Sequence, residues 1–124
     1  MEQAITTASG VLEVTVNHGG DSTIVRVSGR IDIDSSPDLR DRLIALLHAQ
    51  PSTIISVDLA QVPYIDTSGI ATLIQALKIA RHSKSTLCLQ GLTGSVLHLF
   101  QVTGVLALFE AVGCAHGAPT SKAS

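Results

Sequence analysis

Aromatic side chains are scarce in this chain: no tryptophan, one tyrosine and two phenylalanines among 124 residues. That scarcity excludes the stacking platforms on which single-stranded nucleic acids or sugars are held. It leaves the core to Val, Ile, Leu and Ala, which a composition 45% hydrophobic can fill. An excess of charge is lacking too. The formal net charge is −2, and no long run of either sign offers a footprint for DNA, RNA or an anionic membrane. No apolar run approaches the ~20 residues of a membrane-spanning helix. The opening Met-Glu-Gln-Ala-Ile-Thr-Thr does not place an apolar stretch after a basic one, as a secretory signal would. Cysteine is limited to Cys88 and Cys114, which form no C-x-x-C pair. Cys88 lies between Leu87 and Leu89 and reads as a buried thiol, with nothing in the spacing to call for a disulfide. One domain in the cytoplasm is the expectation.

Enzyme signatures are missing as well. The chain has no G-x-x-x-x-G-K-[ST] loop, no G-x-G-x-x-G after a strand and no G-x-S-x-G, since Asp66 stands two residues before Ser68 where that last motif needs glycine. The five histidines, His18, His48, His82, His98 and His116, are scattered without metal-ligand spacing. His48, His82 and His98 read as isolated residues on helix surfaces. Ser68 has no evident base to activate it. The chain is therefore expected not to be an enzyme and to carry no metal and no cofactor.

What is present is an alternation of strand and helix signals. Residues 1–9 are polar and small and read as a flexible leader. Val11–Val16 and Thr23–Gly29 are β-rich and flank the turn signals Asn17-His18-Gly19-Gly20-Asp21, which predicts a hairpin. Ser36-Pro37-Asp38 opens a helix, with serine suited to the N-cap and proline to the first helical position. Leu39, Leu43, Leu46 and Leu47 give that helix an apolar stripe, and Pro51 ends it. Thr53–Leu59 is nearly continuous apolar sequence, as in a central strand covered on both faces. Ile70, Leu73, Ile74, Leu77 and Ala80 mark a second helix, with Lys78, Arg81 and Lys84 toward its negative end. A strand over Thr86–Gln90 ends at Gly91. Val96, Leu99, Phe100 and Thr103 mark a third helix, with Gly104 at its C-terminal cap. Leu106–Val112 fits a short helix, a strand, or one after the other. Residues 115–124 read as a disordered tail. The order β-β-α-β-α-β-α predicts a mixed sheet with right-handed crossovers between its later, parallel strands.

The chemistry concentrates at Asp66-Thr67-Ser68-Gly69, between a strand and a helix. Backbone N–H groups there lack intrahelical partners and hold negative charge. A hydroxyl in that place caps the helix or carries a phosphate. Two adjacent hydroxyls are more than a cap needs, Gly69 removes bulk beside Ser68 so that another protein's active site can approach, and Asp66 sets a carboxylate next to the serine. A second acidic element, Arg30-Ile31-Asp32-Ile33-Asp34-Ser35-Ser36, is either an ordinary solvated loop with a serine cap or part of one recognition surface with Asp66 and Ser68.

Val57-Asp58-Leu59 through Tyr64-Ile65-Asp66-Thr67-Ser68-Gly69-Ile70 resembles the signature of the STAS family, the anti-sigma factor antagonists of bacteria. Val27-Ser28-Gly29-Arg30-Ile31-Asp32 and the run from Gly91-Leu92 through Val96, Phe100, Thr103-Gly104-Val105 and Phe109 are similar to two further family segments. The resemblance covers residues 11–113 and implies an α/β STAS fold over residues 10–114. In that fold a mixed sheet of four to five strands packs with three to four helices. It further implies partner switching. The unphosphorylated protein binds an anti-sigma factor that is a serine kinase of the histidine-kinase-like ATPase type, phosphorylation ends the binding, and a metal-dependent Ser/Thr phosphatase resets the cycle. The acceptor position falls on Ser68, with Thr67 as the less favoured neighbour, and Asp32, Asp66 and Gly69 fall on partner-binding positions near it. Members of the family also serve as subunits of stress-signalling scaffolds and of transporters, including lipid transporters. Phosphate at a helix start is expected to be tolerated by the fold and to act on the partner by repulsion.

Overall fold

The computed structural model describes residues 3–9, 12–20, 22–49, 53–112 and 114–117. β-Branched and small residues form the strands β1 (Gln3–Ser9), β2 (Leu12–Gly19), β3 (Ser22–Gly29), β4 (Ile54–Gln61), β5 (Thr86–Leu92) and β6 (Cys114–Gly117). The helices are α1 (Ser36–Ala49), α2 (Thr67–His82), α3 (Gly94–Val102) and α4 (Val105–Val112). The six strands lie in one sheet in the order of the sequence. β1, β2 and β3 pair antiparallel, and β3, β4, β5 and β6 pair parallel. The mixed sheet and the hairpin match the sequence reading, and the sheet gains a strand at each edge. Residues 1–9, read as a flexible leader, contain β1, and β6 takes Cys114 from the expected domain and residues 115–117 from the segment read as a tail. Both strands gain their backbone partners only from the neighbouring strand, a long-range pairing that small polar side chains do not announce. Residues 118–124, the rest of the expected tail, lie outside the described residues.

Strand alternation explains the core. Val16 stands opposite Val25, Val25 opposite Val57, and Val57 opposite Leu89. A second row runs Thr23, Ile55, Leu87. With a side-chain period of two, these rows share one face of the sheet. Leu39, Leu43 and Leu47 of α1, Leu73 and Leu77 of α2, Phe100 of α3 and Phe109 of α4 close over that face and are at most 2% exposed. The two phenylalanines are thus both spent on the core, as an aliphatic composition requires.

The opposite face is thinly covered. Ile54 is 45% exposed, and Arg26 pairs with Asp58 directly across the β3–β4 ladder at 3.5 Å. β4 is therefore not covered on both faces, as its apolar composition suggests; Ser56 and Asp58 mark its wetter side. The parallel order β3-β4-β5 with α1 packed on α2 places both helices on the same side of the sheet, as successive crossovers of one hand require. Leu106–Val112, ambiguous in sequence, is helical, and Gly104 takes φ +78° just before it.

Cys88 is disulfide-bonded, not a free thiol, and no free cysteine stands among the described residues. Cys88 stands opposite Cys114 in the β5–β6 ladder, a juxtaposition made by the parallel register and invisible in the spacing. Such bonds are uncommon in reducing compartments. Among the described residues no single helix is long and apolar enough to cross a membrane.

Phe100 has no accessible surface, so Phe100→Ala is expected to cost about 3–5 kcal/mol, read from the midpoint of a urea unfolding curve.

Candidate functional site

The site begins with a backbone clamp. β3 ends at Gly29, and the chain continues through Ile31, which forms an isolated parallel bridge with Ile65, beyond the end of β4. The Ile31 N–H donates to the Tyr64 carbonyl at 3.0 Å, and the Asp66 N–H donates to the Ile31 carbonyl at 3.1 Å. Both isoleucines are buried, so apolar packing shields the two bonds. Two loops that are more than 30 residues apart in sequence (order of magnitude about one crossover unit) are thereby joined at the carboxyl ends of adjacent strands.

The first loop carries Asp32. Its Oδ1 accepts the N–H groups of Asp34 at 3.0 Å and Ser35 at 3.2 Å, an Asx-type turn. Its Oδ2 lies 3.7 Å from Arg30 Nε. The Arg30 guanidinium sits 4.5 Å over the Tyr64 ring, tying the two loops a second time. Ser35 Oγ donates to the Arg30 carbonyl at 2.7 Å and accepts the Asp32 N–H at 3.0 Å. Ser36 is the first residue of α1 and does not cap it with its side chain as the sequence suggests. Its hydroxyl turns back to the Asp32 carbonyl at 2.6 Å and lies 3.0 Å from Ser68 Oγ.

The second loop carries Asp66, which is the N-cap of α2. Its Oδ1 accepts the N–H of Ser68 at 2.9 Å and of Gly69 at 3.3 Å, and also the Ser68 hydroxyl at 2.5 Å. The cap is thus an aspartate; Thr67 and Ser68 are the first helical residues and are released from that duty. The Ser68 hydroxyl above all, joined by the N–H groups of Gly69 and Ser68, holds the Asp66 carboxyl below its ordinary range, against burial, which pushes it up. Thr67 is exposed and Ser68 half-buried.

Gly69 serves packing. It is buried, and a Cβ there would lie 2.5 Å from Ile31 Cγ2 and 2.6 Å from Ile65 Cγ1. The sequence reading gave this glycine an outward role, making room for an approaching protein. It faces inward instead, letting α2 start directly on the clamp.

The structure therefore joins Asp66, Ser68 and Gly69 in one turn and brings the Asp32 loop against it. The Asp32 carboxylate itself turns to its own loop, and its link to Ser68 runs through its carbonyl and Ser36. The surface around these groups includes residues that sequence reasoning did not single out. Ile33 is 74% exposed and Tyr64 40% exposed. Tyr64, Asp66, Thr67, Ser95, His98 and Leu99 border an open hollow of about 400 Å³. An exposed isoleucine beside Asp32 and Asp34 was legible as an anomaly; the hollow, which joins the start of α2 to α3, was not. His48, His82 and His98 are exposed on helices, as expected. Among the described residues no cluster of His, Cys, Asp or Glu is arranged to hold a metal, and no histidine hydrogen-bonds Ser68.

The chain is similar to known proteins over most of its length. The family described as "Mlab, STAS domain" matches residues 14–110. An anti-sigma-B factor antagonist of Listeria monocytogenes is 30% identical over 84 residues, 68% of this chain and 73% of that protein. An anti-sigma-B factor antagonist of Bacillus subtilis is 26% identical over 99 residues, 80% and 89% of the two chains. In fold, the crystal structure of an anti-sigma factor antagonist from Mycobacterium paratuberculosis superposes with a TM-score of 0.73 at 19% identity, covering 92% of this chain and 91% of that one.

Two outcomes test the site. Gly69→Ala is expected to destabilise the fold by about 1–3 kcal/mol through overpacking against Ile31 and Ile65; an unchanged melting temperature would contradict the close approach. Because the Asp66 carboxyl is lowered in the folded chain, its contribution is present above the unfolded carboxylate pKa and lost as pH falls through the folded value. Asp66→Asn is therefore expected to flatten the acid limb of a stability–pH curve below about pH 4.

Proposed function

Because the chain belongs to the STAS domain family, we propose that it acts as an anti-sigma factor antagonist by partner switching, with Ser68 as the phosphoacceptor. In this reading the unphosphorylated chain binds an anti-sigma factor that is itself a serine kinase of the histidine-kinase-like ATPase type, so that the factor's target is released. Phosphate on Ser68 ends the binding, and a metal-dependent Ser/Thr phosphatase restores it. The role is regulatory binding: the kinase brings the ATP and the phosphatase its metal, while this chain brings the acceptor hydroxyl.

One observation carries the assignment: the Ser68 hydroxyl is held at the accessible start of α2 while Asp66 takes over the cap. Thr67 is more exposed, yet no hydrogen bond to its hydroxyl corresponds to those that orient Ser68. The partner surface would comprise Ile33 and Tyr64 as apolar contacts, with Asp32 and Asp66 as the acidic ones. Exposed apolar groups beside charges are the usual makings of an interface.

The same geometry supports a reading of what phosphate would do. It adds about 1.5–2 negative charges next to Asp66, whose carboxylate already occupies the N–H groups of Ser68 and Gly69. The helix start is therefore less free to receive a phosphate than its position alone suggests. The added charge meets a carboxylate, and the group must extend outward, into the space a partner would fill. Loss of about 2.8 kcal/mol at that interface lowers affinity about 100-fold.

Ser68→Ala is expected to retain the partner kinase in a pull-down and to take up no phosphate, while Ser68→Asp binds about 100-fold more weakly by calorimetry. Full phosphate incorporation into Ser68→Ala would refute the assignment. Capture of a transporter ATPase without a kinase would point to an accessory-subunit role.

A further inference from the structure

The hydroxyl of Ser36 is buried, 4% exposed, and shares a hydrogen-bonded cluster with Ser68 across 32 residues of sequence. Two serine hydroxyls supply two protons, and three oxygen contacts compete for them. Ser68 Oγ lies 2.5 Å from Asp66 Oδ1, Ser36 Oγ lies 2.6 Å from the Asp32 carbonyl, and the two hydroxyl oxygens lie 3.0 Å apart. A hydroxyl has one donor and two acceptor positions. With the Ser68 proton on Asp66, the Ser36 proton has two destinations. The Asp32 carbonyl does not depend on it, because that oxygen also accepts the N–H of Ser36 at 2.8 Å and of Ser35 at 3.2 Å. Ser36 can turn its proton to Ser68 without leaving a buried carbonyl unsatisfied.

We propose that Ser36 is a positioning residue for the phosphoacceptor: its buried hydroxyl fixes the orientation of Ser68 Oγ and donates to that oxygen as it gives up its own proton. The inference rests on the reading of Ser68 as phosphoacceptor. In the transfer, the Ser68 Oγ–H bond breaks and the proton passes to Asp66 Oδ1 and on to water. The electron pair on Oγ forms the bond to the γ-phosphorus of ATP, and the bond from that phosphorus to the bridging oxygen breaks to release ADP. Asp66 and Ser36 occupy two of the three non-carbon directions around Oγ, which leaves one lone pair for attack. Orientation of this kind is where phosphoryl transfer, which depends on positioning and electrostatics, gains much of its rate. Ser36 is too buried to form the partner surface itself, so its effect should fall on turnover and not on association.

The test uses the full-length chain, γ-labelled ATP and whichever anti-sigma-type serine kinase of the source bacterium phosphorylates the wild type, with the site mapped by mass spectrometry. Ser36→Ala is expected to lower kcat about tenfold with KM unchanged, and Ser36→Thr, which keeps the hydroxyl, to restore most of it. Circular dichroism melts of both variants show whether they are folded. In parallel, the Ser68 Oγ proton, followed by NMR in the wild type, is expected to exchange with water more slowly than in Ser36→Ala. Wild-type phosphate at Ser68 with an unchanged kcat in Ser36→Ala would overturn this inference alone. So would a rise in KM at constant kcat, which would make Ser36 a support for the Asp32 loop. Phosphate on another residue, or none with any such kinase, would overturn the phosphoacceptor reading and this inference with it.

Discussion

The bridge between Ile31 and Ile65 is the constraint on which the site depends. Two backbone hydrogen bonds, 3.0 and 3.1 Å long, pass between buried isoleucines at the ends of β3 and β4. In that shielded setting an unmade bond is costly, so the two loops are held together. Asp66 then falls at the start of α2 with its own N–H already committed to Ile31, and its carboxylate is free to turn forward onto the helix. Gly69 lets the first turn of α2 rest on the same two isoleucines. Ser68, between the cap and the glycine, has little choice of position.

That arrangement separates two jobs often given to one residue. A serine at a helix start commonly serves the backbone with its side chain. Here the carboxylate of Asp66 serves the backbone, and the serine hydroxyl donates to the carboxylate. The hydroxyl is thereby oriented from within the molecule while remaining half-accessible from outside. The surrounding surface continues the theme. Arg30 lies over Tyr64 and near Asp32, so the charged and aromatic groups of both loops are cross-linked before any partner arrives. A preorganised surface binds with less loss of side-chain freedom.

Much of this was legible from the residues. The hairpin, α1, β4, α2 and β5 follow from β-branched runs, leucine spacing and the position of proline and glycine. Asp66, Ser68 and Gly69 stand out because an acid, hydroxyls and a glycine interrupt two apolar patterns. The direction of Gly69 did not follow: whether a glycine makes room outside or inside depends on what lies under it, and Ile31 comes from another loop. The cap was likewise ambiguous, since Asp66, Thr67 and Ser68 are all capable of it and only the backbone turn decides among them. β1 and β6 escaped because their partners, β2 and β5, supply what their own sequences lack.

The amino-acid sequence by itself determined the local alphabet of the protein: which segments extend, which coil into helices, and that one strand-to-helix junction carries chemistry. These are properties of neighbours along the chain, set by side-chain period, propensity and turn residues. Only the tertiary structure decided that Ser36 meets Ser68, that Cys88 faces Cys114 in the ladder, and that Asp32 reaches Ser68 through its carbonyl instead of its carboxylate. Each is a contact between segments far apart in sequence, created by the parallel register of the sheet and the clamp at its end, and no local pattern encodes it.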